Sequence, residues 1–372
     1  MARILIATIS DDMHAAAVAH VLERMGHEPV RWVCADFPQR GTISLSPHDP
    51  EGASPRVADA RGELPAAPAD VFWNRRPSLP VIGPGVLPEG DRRFALRESA
   101  ILLTGAIDLL SQGGFAVNGP REAARAENKV VQLSVARALG FALPDTLISN
   151  EPERIRRFVR ERADVGAIYK PFRPATWESA DRLAMLYTAK VDEASLPDDD
   201  LLRLGPGIFQ AYVPKAYELR VTCMGDEVLA ARLDSQATRD GKVDWRIAHV
   251  HDLAVRPVEL PPAVARRCLE LLRRLGLVFG CIDLIVTPEG EYVFLEVNQM
   301  GQFLWVEIAC PAMPMLQTFC EFLVRRDPHF RRAPGAPVVH TFAGVRAAAS
   351  ATLEAERGRH ARPEQESHVM PE

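Results

Sequence analysis

The chain has 372 residues, 47% of them hydrophobic and 25% charged, with a formal net charge of −5. That is the composition of a globular protein of two or three domains, and its acidic balance argues against general affinity for nucleic acid or an anionic membrane surface. No apolar stretch is long enough to span a bilayer, and the opening RILIATI run lacks the long apolar core and cleavage site of a signal peptide. The six cysteines, at 34, 223, 268, 281, 310 and 320, show no C-x-x-C pairing and read as reduced, mostly buried thiols of a cytoplasmic protein.

Arg3–Ile9 reads as a first strand. Ser10-Asp11-Asp12 can cap a helix that runs to about Met25, where Gly26 ends it, and Pro29–Val33 reads as a second strand. Strand–helix–strand predicts an α/β domain with a parallel sheet; no G-x-G-x-x-G follows, so no dinucleotide site is assigned. Residues 36–70 are rich in Pro, Gly, Ser and Asp, with at most a short edge hairpin around Thr42–Leu45. Val71-Phe72-Trp73 is a third strand, and the Asn74-Arg75-Arg76-Pro77 after it reads as a solvated strand end. Arg92–Gln112 reads as an amphipathic helix with Phe94, Ile101, Leu102, Leu109 and Leu110 as its apolar stripe. A short strand at Phe115–Val117 and the Asn118-Gly119-Pro120 turn close an N-terminal unit of residues 1–118.

Arg121–Leu139 reads as one helix carrying Lys129. An extended segment from Pro144 to Ile148 and a helix at Glu153–Glu161 follow; Arg154, Arg157 and Arg160 give that helix a basic face, which is usually just solvated. Ala167–Lys170 is a strand, 171–187 a loop and Thr188–Val191 a strand, completing a central unit of residues 119–196. The C-terminal unit, 197–330, holds a strand at Ile208–Val213, a hairpin of Glu218–Met224 and Glu227–Leu233 around Gly225-Asp226, and helices at Pro262–Leu275 and Pro311–Arg325. His249-x-His251 lacks a third ligand nearby and reads as ordinary solvated or core histidines. Residues 331–372 hold few large apolar side chains and read as a disordered or partly helical tail, dispensable for the core.

Gly280–Gln302, GCIDLIVTPEGEYVFLEVNQMGQ, carries the strongest chemical signal. Two apolar runs flank Pro288-Glu289-Gly290, a hairpin pattern. A two-residue Glu289-Gly290 loop sets Asp283 across from Glu296, and alternation brings Asn298 to the same face, with Ile285 and Phe294. Two facing carboxylates among apolar residues repel and are poorly solvated. A divalent cation resolves both problems, and hard oxygen ligands suit Mg²⁺. Exposed acids at a strand end are the alternative, but apolar residues run right through them.

In chain order the polar landmarks are Lys129, Lys170, Gln210-Ala211-Tyr212-Val213, Glu218-Leu219-Arg220, Arg232, Asp283 and Glu296-x-Asn298. Two lysines, two arginines and a three-ligand metal face suit a nucleoside triphosphate with Mg²⁺. There is no P-loop and no kinase H-R-D or D-F-G, nor a Ser-His-Asp or Cys-His set for covalent catalysis.

This order resembles the ATP-grasp superfamily of carboxylate–amine ligases and, within it, the graspetide (microviridin-type) peptide macrocyclases, over roughly residues 1–325. The most specific pieces are ENKVVQLSVARALGFALPDTLISN (127–150), ELRVTCMGDEVLAARLDSQ (218–236), VDWR (243–246) and DLIVTPEGEYVFLEVNQMGQFLWVE (283–307); WNRRP at 73–77 also fits. The resemblance implies an α/β ATP-grasp fold of α+β sandwich domains: an N-terminal pre-ATP-grasp domain, a central lid domain that docks a leader peptide, and a C-terminal domain with the metal site. It implies that Lys129 and Lys170 contact ATP phosphates, that Gln210, Ala211, Tyr212 and Val213 form the adenine hinge, and that Glu218 binds the ribose. It further implies that Arg220 and Arg232 stabilise the transferred phosphoryl and the acyl phosphate, and that Asp283, Glu296 and Asn298 hold Mg²⁺.

The implied reaction activates an Asp or Glu side chain of a ribosomal precursor peptide, leader plus core, as an acyl phosphate. A Ser or Thr hydroxyl or a Lys amine of the same peptide then displaces phosphate. Another ATP-grasp ligase joining amino acids or adding them to a peptide, and an ATP-binding module without ligase activity, are the alternatives. The resemblance also allows a homodimer, a leader held at the arginine-rich helix, and an acceptor positioned by Gly301–Glu307. One departure stands out: the phosphate-covering loop, PFRPATWESADRLAMLY (171–187), has no glycine, which leaves Arg173, Thr176, Trp177 and Ser179 as candidates for its work.

Overall fold

The computed structural model describes residues 1–48, 54–65, 68–172, 188–237, 245 and 253–362, and the backbone of 175–179 and 182–186. Arg3–Thr8 lies between Glu28–Val33 and Val71–Asn74 in a four-stranded parallel sheet that Phe115–Val117 completes. Helices cover both faces, so both sides of Arg3–Thr8 are apolar. Ile4 and Ile6 share a core with the helix Met13–Arg24, while Leu5 and Ala7 pack with Leu103 and Ile107 of the helix Glu89–Ser111. That second helix differs from its expected stripe. Leu103, Ala106 and Ile107 are buried, whereas Phe94, Ile101, Leu102 and Leu109 are exposed. The Leu102-Leu103 and Leu109-Leu110 doublets fit a helical period on either of two adjacent faces, and packing on the sheet selects one.

Arg75 is the second correction. Instead of ending in solvent it is 1% exposed; its Nε donates to Asp12 Oδ2 at 2.9 Å and its Nη1 to the Met300 carbonyl at 2.8 Å. A partner 63 residues away in sequence turns an expected surface charge into a buried ion pair.

Ala189–Val191, Ala167–Lys170, Gly207–Ala211 and Thr146–Ser149 form, in that order, an antiparallel sheet backed by Ile155, Phe158 and Val159 of the helix Pro152–Arg160. Gly207–Ala211, expected in the C-terminal unit, pairs within this sheet. The segment expected as a loop, 171–187, contains the antiparallel strands Ala175–Ser179 and Arg182–Leu186. Arg173, the side chains of Thr176, Trp177 and Ser179, the His249-x-His251 pair, and VDWR except Trp245 lie outside the described residues. Of the basic helix, Arg154 pairs with Glu151, Arg156 with Asp199 and Arg160 with Glu193.

Val255–Val258, Glu227–Leu233, Tyr217–Met224, Phe279–Val286 and Tyr292–Asn298 form a five-stranded antiparallel sheet. Leu219, Val221, Ile282, Leu284 and Phe294 pack on one face of it beneath Leu133 of the helix Lys129–Ala138 and Leu272 of the helix Pro262–Leu275. The single helix expected over 121–139 is two, Pro120–Glu127 and Lys129–Ala138. Asn128 divides them: its backbone is extended and its side chain accepts from the Val130 amide at 3.0 Å, the N-cap role asparagine favours.

The tail is partly helical, one of the two expected readings, but it is built into the core rather than dispensable to it. Phe342–Ala355 is a helix whose Phe342, Val345 and Ala349 are buried in the core shared with Met13–Arg24. Glu307 accepts from the Phe342 amide at 2.6 Å, and Asp36 from the Ala361 amide at 2.6 Å. An alanine-rich helix has few large side chains yet packs closely, so low hydrophobic content did not mean disorder here.

Candidate functional site

The hairpin is real, but its turn differs from the expected two-residue loop. The Thr287 amide donates to the Glu291 carbonyl at 3.0 Å, leaving Pro288-Glu289-Gly290 as a three-residue loop with Gly290 at φ +85°. That left-handed position favours glycine. Near the turn Leu284 pairs with Phe294; a bulge then shifts the register, so Asp283 still faces Glu296 and Cys281 faces Asn298. The longer loop and the bulge offset one another. The bulge also exchanges two apolar residues: Phe294, expected beside the carboxylates, is buried in the helix-side core, and Leu295 lines the cleft instead.

A cleft opens between the central sheet and this sheet. Its walls include Lys170, Gln210, Ala211, Tyr212 and Val213 on one side and Glu218, Asp283, Ile285, Leu295 and Glu296 on the other. Ile168 and Ile285 supply apolar surface. Gln210 donates its side-chain amide to Thr146 Oγ1 at 2.9 Å.

Lys129 is the first residue of its helix. A cation there opposes the helix dipole, and a carboxylate offsets it: Nζ lies 2.6 Å from Glu296 Oε2. Arg220 faces Asp283 across the sheet, with Nη1 3.0 and 3.1 Å from its two carboxylate oxygens. Burial works against the Arg220 charge, but Asp283 outweighs it and raises the guanidinium further above its usual range. Arg220 also donates to the Gln302 carbonyl at 3.0 Å, and Asn298 donates to Gln302 Oε1 at 2.9 Å. Each cross-strand carboxylate thus has a cation beside it.

Arg232 does not join them. The register sets it opposite Leu219, on the helix-packed face rather than the face of Arg220. It pairs with Asp234 at 2.7 Å, and its guanidinium carbon lies 3.8 Å from the Tyr217 ring centroid. The two arginines expected to serve one transferred group therefore lie on opposite faces of the sheet, because one residue of strand register exchanges faces. Two residues that sequence reasoning missed are present instead. Lys215 lines the cleft and pairs with Glu218; its only sequence signal was a lysine three positions before that glutamate. Trp245, inside the VDWR motif, lines the cleft and stacks on Trp305 with ring centroids 4.6 Å apart.

No protein-family model and no curated protein matches the chain. Solved structures do. The macrocyclase MdnC from Microcystis aeruginosa MRC, bound with precursor peptide MdnA, is 30% identical, with a TM-score of 0.76 over 87% of this chain and 99% of that one. The chain belongs to the graspetide-type ATP-grasp ligases. A Chryseobacterium gregarium RiPP-associated ATP-grasp ligase, in complex with ADP and a leader and core peptide, is 26% identical, with a TM-score of 0.76 over 89% of this ligase and 100% of that chain. Macrocyclase MdnB from Microcystis aeruginosa MRC is 27% identical, with a TM-score of 0.72 over 87% of this ligase and 98% of that chain. In this ligase no helix among the described residues is long and apolar enough to cross a membrane.

Proposed function

We propose that this ligase uses ATP to activate a side-chain carboxylate of a ribosomally made precursor peptide and joins it to a hydroxyl or amine of the same peptide. The observation that carries the reading is the cleft itself, lined by Lys170 and the Gln210–Val213 hinge on one side and by Glu218, Asp283 and Glu296 on the other. Adenine would lie along the hinge, against main-chain atoms of Ala211–Val213, since the Gln210 side chain is engaged with Thr146. Glu218 would accept from ribose hydroxyls, and Lys170 and Lys129 would meet phosphates. The peptide follows from the complexes of MdnC and the Chryseobacterium ligase, both solved with precursor segments.

Asp283, Glu296 and Asn298 offer the hard oxygen donors that Mg²⁺ takes. The donor set fits: two facing carboxylates already draw in Lys129 and Arg220, so the site is built to balance positive charge. When bound there, Mg²⁺ would supply positive charge that offsets the negative charge developing on the transferred phosphoryl group. In the first step a peptide carboxylate oxygen attacks the γ-phosphorus of ATP, and ADP leaves. In the second, the hydroxyl or amine attacks the acyl carbon; phosphate leaves with the bonding electrons and the nucleophile gives up its proton. Arg220 would hold the negative charge that passes between these steps. We assign the work to the cytoplasm, which supplies ATP and suits six unbridged cysteines.

Co-expression with the precursor, followed by intact mass measurement, tests the reading. The expected result is loss of one water from the peptide for each bond formed. Glu296→Gln is expected to stop product formation with the fold retained, because it removes a charged ligand but keeps its shape. An unchanged peptide mass with ATP and Mg²⁺ present would overturn the peptide assignment.

A further inference from the structure

The N-terminal sheet grips the segment that follows the metal hairpin. Three of its contacts fall on five consecutive residues, Met300 to Leu304. Arg75 donates to the Met300 carbonyl at 2.8 Å. His14 Nε2 accepts from the Phe303 amide at 3.1 Å and the Leu304 amide at 3.2 Å. The short helix Leu304–Ala309 has no side-chain cap from its own N-terminal residues. Its first amides are satisfied from 290 residues away in sequence.

The same segment touches the cleft from its other side. Arg220 and Trp305 Nε1 both donate to the Gln302 carbonyl, at 3.0 and 3.1 Å, and Asn298 Oδ1 accepts from the Gly301 amide at 3.0 Å. Moving Phe303 and Leu304 therefore moves the carbonyl that orients Arg220.

We propose that His14 is a positioning residue for acyl transfer: by accepting the Phe303 and Leu304 amides it holds Gln302 against Arg220 and Asn298. For Nε2 to accept, the imidazole must be neutral with its proton on Nδ1. The fold provides for that. His14 is 3% exposed, and the Phe303 ring lies edge-to-face with it at 5.1 Å. Burial, first, and then Arg75 hold its pKa well below the ordinary range; Asp12 acts in the opposite sense, while Arg76 and Arg220 add to the lowering. Arg75 thus fixes Met300 directly and also keeps His14 in its accepting form.

The assignment rests on the ligase reading above, and its test separates the two. Three purified full-length proteins are compared on precursor peptide: wild type, His14→Phe, which keeps a ring but no acceptor, and His14→Gln, whose amide oxygen reaches about where Nε2 lies. Misplacement of a reacting group by a fraction of an ångström to 1 Å costs about 10- to 100-fold. His14→Phe is expected to lower kcat for crosslinking by that factor, with a smaller change in KM for ATP, because His14 does not itself line the cleft. His14→Gln is expected to recover most of the loss. Hydrogen exchange at the Phe303 and Leu304 amides is expected to be faster in the Phe variant and near wild type in the Gln variant. If His14→Phe does not fold, His14→Gln against His14→Asn carries the same test, since the shorter amide cannot reach. Wild-type kcat in the variant without an acceptor, or a Gln variant no better than it at equal thermal stability, would overturn the assignment. If wild type itself makes no crosslink, the ligase reading fails instead, and the amide exchange still decides His14: unchanged exchange in His14→Phe overturns it.

Discussion

Two buried arginine–aspartate pairs hold the segment after the hairpin, Arg75–Asp12 from the N-terminal sheet and Arg220–Asp283 from the cleft. Both arginines also donate to a carbonyl of that segment, at Met300 and Gln302. They differ in how completely they are satisfied. Asp12 caps a helix through the His14 and Ala15 amides, accepts from Thr8 Oγ1 and receives two nitrogens of Arg75. Burial would raise its carboxyl, but Arg75 overrides this and holds it well below the carboxylate range. In the cleft, Arg220 Nε and Gln210 Oε1 are buried with no hydrogen-bond partner. Buried polar groups are almost always paired, so an unpaired one beside a cleft leaves a hydrogen bond open to a bound group or a water. A saturated pair builds scaffold, and an unsaturated one builds a site.

Substitutions should separate the two roles. Asp12→Asn leaves Arg75 buried against a neutral side chain; breaking a buried pair costs about 3–5 kcal/mol, so the midpoint of thermal or urea unfolding should fall sharply. Arg220→Ala should instead lower product formation by about 100- to 1,000-fold, the usual cost of one preorganised charge-stabilising group, with a smaller loss of stability. Equal effects of both on stability and turnover would break the distinction.

The acid limb of stability sharpens it. The folded Asp12 carboxyl titrates below its unfolded value, so its contribution is full above the ordinary carboxylate range and is lost as pH falls through that range and below it. Wild type should lose stability on acidification, and Asp12→Asn should lose less over the same interval; urea midpoints against pH measure this. Arg232→Ala is the control with the smallest effect. Its pair with Asp234 is partly exposed, with side chains 28% and 27% accessible. A change below about 1 kcal/mol is expected, and it should shrink further as salt is raised.

Much of the cleft was legible because its signals are local. Strand alternation placed Asp283, Glu296 and Asn298 on one face, and apolar runs through the acids argued for burial. The pairing survived a misjudged turn only because the bulge compensated for it, which no propensity in EYVFLEVN announces. Arg232 shows the limit: its strand was recognised, but the face it presents depends on which residue opposes Leu219.

The sequence by itself determined most of the strands and helices in their order, the cap at Asp12, the glycine stop at Gly26, and the residue types a nucleotide and a divalent ion require, since these follow from short-range backbone chemistry and side-chain periodicity. Only the tertiary structure decided which face of Glu89–Ser111 is buried, that Gly207–Ala211 belongs to the central sheet, that the tail helix completes the core, and that Arg75 and His14 reach across to residues 300–304. Each of those choices depends on a partner far away in the chain, and burial, the largest energetic factor, does not exist until both partners are in place.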